Sequence, residues 1–240
     1  MEPKRQKITI IKAVLIFTTF TVYFFLLIKY FYPILENTLR VHTSVYWYLT
    51  GYILFMPIFF LAVIMCRQEG FKPFSEILSA LNIRKFTKKD LKYAIISLIL
   101  CFLFSGIIFL ISRLLHIYFG FKELHFSAEF LEFEPYVGLQ KLLLFIWIPM
   151  WFFNIVGEEI LWRGYIQNRL NGKYSWLLIS VLWLIFHLPF GIVMVIMLIP
   201  ICIILPYAFS KTENTLVGIF IHGFFNGPIF VIISLGLLKI

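Results

Sequence analysis

Acidic side chains are scarce in this chain, with 12 Asp and Glu against 21 Lys and Arg in 240 residues. Charged residues of both signs make up 14% of the sequence, where a soluble domain carries about 25%. Beside 61% hydrophobic residues and a mean hydropathy of +0.93, that shortage excludes an ordinary soluble globule. Cysteine is scarce too. Cys66, Cys101 and Cys202 each lie in or at the end of an apolar run, without metal spacing or a disulfide framework. They read as small buried hydrophobes. A His-Glu-x-x-His motif is absent. There is no Ser–His pair with a Gly-flanked nucleophile and no aspartate inside an apolar span, which argues against serine-type and paired-aspartate hydrolysis within a membrane. No repeat, low-complexity segment or linker divides the chain, so residues 1–240 read as a single integral membrane domain. The surplus of positive charge has no basic-aromatic surface separable from the loops. Nucleic acid is therefore not an expected partner, and the lipid bilayer is.

What the chain does have is long apolar runs. They predict an all-α, polytopic helical membrane protein of about seven transmembrane helices. The expected spans are about 8–28, 45–66, 93–115, 141–170, 174–191, 192–209 and 214–238. Pro200 and Pro206 are expected inside the sixth, and a kink at Gly227-Pro228 in the seventh. Residues 29–43 read as a connection with an aromatic entry. In the basic connection 67–92, Phe74, Ile77, Leu78 and Leu81 follow the spacing of a short interfacial helix. The connection 116–140 is acidic, with Glu123, Glu129, Glu132 and Glu134. Its aromatics, Phe126, Phe130 and Phe133 among them, suggest that it rests on the membrane surface, and His116 and His125 read as interfacial. Segments 1–7, 67–92, 170–173 and 210–214 fall on one side and hold most of the Lys and Arg outside the spans. The positive-inside rule then places the N-terminus in the cytoplasm and the C-terminus outside.

Ten of the acidic residues lie in the terminal arm or the connections; only Glu158 and Glu159 sit inside a strongly apolar span. An ionisable group at membrane depth costs at least ~2.5–3.5 kcal/mol on insertion scales and marks a functional site by default. Arg163 is i+4 from Glu159, so the two share a helix face and can pair. Glu158 is turned about 100° away, with nothing in its local sequence to neutralise it, and is the candidate general base.

Three polar clusters interrupt the later spans: Glu158/Glu159/Arg163, His187, and His222 with Asn226. The glutamates precede the turn at Asn171-Gly172 by about as many residues as His187 follows it, so both sit ~20 Å from that turn. His222 and Asn226, i and i+4 on one face, lie roughly 12–18 Å past Asn214. All can meet in one pocket. A carboxylate and an imidazole can deprotonate a water. A second His and an amide can donate to an oxyanion. Two histidines and a glutamate could instead hold Zn²⁺, with Glu158, His187 and His222 as ligands. Alternatively, the pairs could be packing contacts.

With these residues in hand, the chain resembles the CPBP family of intramembrane proteases, the type II CAAX prenyl endopeptidases and the bacteriocin-processing or immunity proteins. The family's Glu-Glu-x-x-x-Arg is matched by Glu158 to Arg163, and its His-x-x-x-Asn/Asp by His222 to Asn226. Its Phe-x-x-x-His is matched by Trp183 to His187, with Trp for Phe, an apolar-for-apolar change expected to leave the histidine untouched. The likeness covers roughly residues 140–230. It implies an intramembrane endopeptidase of a bacterial plasma membrane acting on a membrane-associated peptide or protein. Glu158 and His187 would activate water, His222 and Asn226 would hold the oxyanion, and Glu159 and Arg163 would support the site. No cofactor or metal is expected, with zinc the alternative. The competing reading is a non-enzymatic immunity or scaffold protein that binds a bacteriocin or transporter. A proton-coupled transporter would also bury Glu and His, but the chain lacks paired halves.

Overall fold

The computed structural model describes residues 4–125, 127–131 and 134–237. Phe126, Glu132 and Phe133 of the acidic connection lie outside the described residues. The chain is a polytopic helical membrane protein. Among the described residues, the six long apolar helices are α1 (Ile10–Thr38), α2 (Thr43–Gln68), α4 (Lys88–Phe119), α5 (Gly138–Gln167), α7 (Ile192–Thr212) and α8 (Thr215–Ser234). Two shorter helices are α3 (Phe74–Ala80) and α6 (Ser175–Phe186).

Local sequence sets the boundaries. Thr9 starts α1 by accepting from the Lys12 amide at 3.2 Å. Thr87 and Asp90 form a reciprocal capping box on α4, which ends at Gly120 with φ +70°. Asn214 caps α8 by accepting from the Leu216 amide. α3 is the expected short helix of the basic connection: Ile77, Ala80 and Leu81 turn inward, and Phe74 outward. Pro200, Pro206 and Pro228 sit inside helices that continue through them.

Two helices differ from the expected lengths. α1 runs ten residues past Ile28, through a π turn at Leu27–Phe31, so most of the expected connection 29–43 is helix. α6 has 12 residues, about 18 Å, too short to cross a ~30 Å hydrocarbon core. The acidic connection meets the end of this short helix, where the Glu129 amide donates to the Phe190 carbonyl at 3.1 Å.

The connections sort into two ends. At one end the Ile8 amide bonds the Arg169 carbonyl (3.1 Å), and Asn82 bonds Asn168 (2.8 Å). Arg84 bonds the Thr212 carbonyl there at 2.6 Å. At the other, the Tyr136 amide bonds the Ser234 carbonyl (2.8 Å), and Phe130 packs edge-on against Tyr32. α2 packs along α5, α4 along α7 and α8, and α6 along α7, which leaves a space between α5, α6, α7 and α8.

Candidate active site

Glu158 is the last α-helical residue of α5, and from Glu159 to Gln167 the helix widens into a π segment whose every residue is buried. Such segments cluster at functional sites. Here the Glu159–Arg163 pair is kept, with Nη1 donating to Oε1 at 3.1 Å and both side chains at 0% exposure. Gly164 brings the π segment against the Leu81 carbonyl and Thr215.

Glu158 is 1% exposed and surrounded by N–H donors. Asn154 Nδ2 donates to Oε1 at 2.8 Å, Trp162 Nε1 to Oε2 at 3.2 Å and Trp183 Nε1 to Oε2 at 2.6 Å. The carboxylate expected to stand unneutralised is therefore compensated by hydrogen bonds rather than by a cation. Asn154 and Trp162, one turn either side of it, were readable as i−4 and i+4 neighbours. Trp183 was not. Its substitution for Phe is a polar change at its indole nitrogen, because Phe has no donor to offer the carboxylate. The same indole lies under the Arg163 guanidinium, 3.5 Å from its centroid. Trp162 is anchored from behind by Phe17, with ring centroids 4.0 Å apart.

His187 caps the end of α6, and its Nδ1 donates to the Trp183 carbonyl at 2.7 Å. A carbonyl only accepts, so Nδ1 carries the proton and, in the neutral ring, Nε2 keeps a lone pair. Trp183 thus ties the two candidate water-activating groups together, to Glu158 through its indole and to His187 through its backbone. His222, on α8, puts Nδ1 3.0 Å from Glu159 Oε1. With Glu159 ionised, that nitrogen must be the donor. Glu159 thus holds both Arg163 and His222, a second bond that sequence spacing did not reveal.

Glu158, His187, His222 and Asn226 all line one cavity of about 190 Å³. The sequence-derived set converges, Glu159 and Arg163 lie buried behind it, and His116 and His125 form bonds within the acidic connection instead. Among the described residues, no three His, Cys, Asp or Glu side chains are grouped to hold a metal ion. The three cysteines are free and buried.

Residues 140–227 match the family model of the Rce1-like type II CAAX prenyl endopeptidases. Over this stretch, which is less than half of its length, the chain is similar to that family. The match contains all three motifs and leaves the N-terminal helices α1 to α4 outside it. Neither the curated proteins nor the solved structures gave a match. The six apolar helices fit a multi-pass membrane protein, and the match makes its C-terminal part similar to a membrane-embedded protease family.

Gly218, one turn before His222, explains how Glu159 fits. A Cβ there would collide with Glu159 Oε2. Gly218→Ala is expected to displace the carboxylate and destabilise the protein by about 1–3 kcal/mol, as overpacking does. Gly106→Ala is the control, since a Cβ at Gly106 meets nothing within 4 Å. Accumulation in membranes and thermal midpoints compare the two; equal behaviour would mean that Gly218 confers nothing on the site.

Proposed function

We propose that the chain is an intramembrane endopeptidase that hydrolyses a peptide bond of a membrane-associated peptide or protein with water activated by Glu158 and His187. The observation that carries this reading is the pairing of Glu158 and His187 through Trp183 at one end of a cavity that also presents His222 and Asn226. Glu158 accepts a proton from water, and the Nε2 lone pair of His187 accepts the water's second hydrogen bond. The water oxygen adds to the peptide carbonyl carbon. Asn226 Nδ2 donates to the oxyanion, and so does His222 Nε2 when the ring is doubly protonated against Glu159. The abstracted proton passes to the leaving nitrogen, the C–N bond breaks, and a carboxylic acid and an amine leave. A bacterial plasma membrane with the N-terminus in the cytoplasm is the setting proposed for this chemistry, on the charge pattern of the connections.

The mechanism is proposed as metal-free. Three N–H donors on Glu158 occupy most of the lone pairs that a metal would need, and His222 is directed to Glu159. The test is metal analysis of the purified protein beside peptide cleavage with and without a chelator. Activity without stoichiometric zinc is expected, with only partial loss on His222→Gln. One zinc per chain, with activity lost on chelation and restored by zinc, would overturn the metal-free mechanism and leave the protease standing.

Trp183→Phe installs the residue that the family motif carries and removes one donor from Glu158. A hydrogen bond to a charged group contributes about 1.5–3 kcal/mol, so kcat is expected to fall on the order of 10–100-fold with KM little changed. An unchanged kcat would show the indole N–H to be idle.

A further inference from the structure

We infer that Asn154 is a further substrate-contacting residue. Its side-chain oxygen receives the N–H of the scissile peptide bond, so that the site favours a secondary amide and disfavours a bond that precedes proline. The inference rests on the proposed peptidase reading and adds to it a group that fixes the leaving nitrogen. None of the three sequence motifs contains Asn154.

The Glu158 carboxylate is engaged unevenly. Oε2 accepts from Trp162 at 3.2 Å and from Trp183 at 2.6 Å, which fills its two lone pairs. Among the described residues, Oε1 accepts from Asn154 Nδ2 alone, at 2.8 Å. The lone pair that remains is on Oε1, and that atom is the base. It takes a proton from water, the water oxygen adds to the carbonyl carbon, and the proton then passes to the nitrogen as the C–N bond breaks. The leaving nitrogen must come to Oε1, the atom that Asn154 already touches.

The Asn154 amide has one orientation here. An ionised carboxylate only accepts, so the group facing Oε1 is the NH₂, and Oδ1 faces elsewhere. Among the described residues, Oδ1 has no hydrogen-bond partner. The side chain is part-buried and lines the cavity, on a wall of α5 that is otherwise apolar at Trp147, Met150 and Trp151. A polar atom on an apolar wall is costly without a partner. The bound peptide supplies one. In a trans peptide the N–H points opposite to the C=O. With the carbonyl oxygen on the α8 donors His222 and Asn226, the N–H turns away from α8 towards the α5 wall, where Oδ1 accepts it. Held there, the nitrogen presents its developing lone pair to the proton on Oε1.

The test compares two substrates. The probes are a synthetic peptide spanning a terminus that the wild-type chain generates in membranes, and its depsipeptide, in which oxygen replaces the scissile N–H. Asn154→Ala and the near-isosteric Asn154→Leu each remove Oδ1 and Nδ2 together. Loss of Nδ2 from Glu158 slows both substrates alike, whereas loss of Oδ1 slows only the peptide. In single turnovers the variants are expected to lose roughly 3–10-fold more rate on the peptide than on the depsipeptide, the size of one hydrogen bond. Equal losses on the two substrates, or no loss on either, would overturn the inference and leave the protease reading standing. A second measurement needs no variant. The wild type should cut the peptide more slowly, by at least the same factor, when proline follows the scissile bond, and equal rates would also overturn the inference. If the wild-type chain generates no such terminus, the peptidase reading falls and takes the inference with it.

Discussion

Glu158→Gln is expected to abolish proteolysis while the protein inserts and accumulates normally. Loss of a general base costs typically 10²–10⁴-fold, so the residual rate should lie roughly that far below wild type. The surroundings explain why folding should survive. A Gln oxygen at the Oε2 position still accepts from Trp183 and Trp162, and its NH₂ group faces Asn154, whose amide can rotate to present oxygen. No buried donor is stranded, yet the group that takes the proton is gone. Immunoblotting of membranes beside a cell-based cleavage assay checks both halves. Full activity in the variant would remove Glu158 from catalysis and bring forward the reading as a binding protein.

Arg163→Ala should do the opposite, depleting the protein before chemistry can be measured. It leaves Glu159 buried with only His222 as a polar partner, and it empties the space over the Trp183 ring. Removing one partner of a buried ion pair typically costs about 3–5 kcal/mol, a large share of the stability of a typical domain. Glu159→Gln should lower abundance too, and should in addition disturb His222. The readout is steady-state abundance and thermal midpoint in detergent. Wild-type levels of Arg163→Ala would mean that the pair does not hold the π segment in place.

The contrast between these variants follows from what was legible in the sequence. Two adjacent carboxylates in a strongly apolar span, with Arg163 at i+4, separate the catalytic candidate from its structural neighbour without coordinates. Rise per residue from the turn at Asn171-Gly172 brings Glu158 level with His187, and both line the cavity. What could not be read depends on contacts between distant segments. Trp183 is 25 residues from Glu158, and nothing in an apolar-for-apolar reading says that its N–H meets a carboxylate. Gly218 matters only because Glu159 lies against it. The π segment at Glu159–Gln167 was not legible either, because residue spacing alone does not separate a widened turn from an α-helical one. Likewise, α6 read as a full span because its apolar run continues through Leu188-Pro189-Phe190, whereas the helix stops at Phe186.

The central claim, that Glu158 drives peptide-bond hydrolysis in the membrane, is most directly tested by comparing new peptide termini in membranes from cells expressing the wild-type chain or Glu158→Gln at equal abundance. The account predicts a discrete set of termini present with the wild type and missing with the variant, within or beside membrane segments and insensitive to chelator. Identical terminus profiles in the two membranes would contradict it.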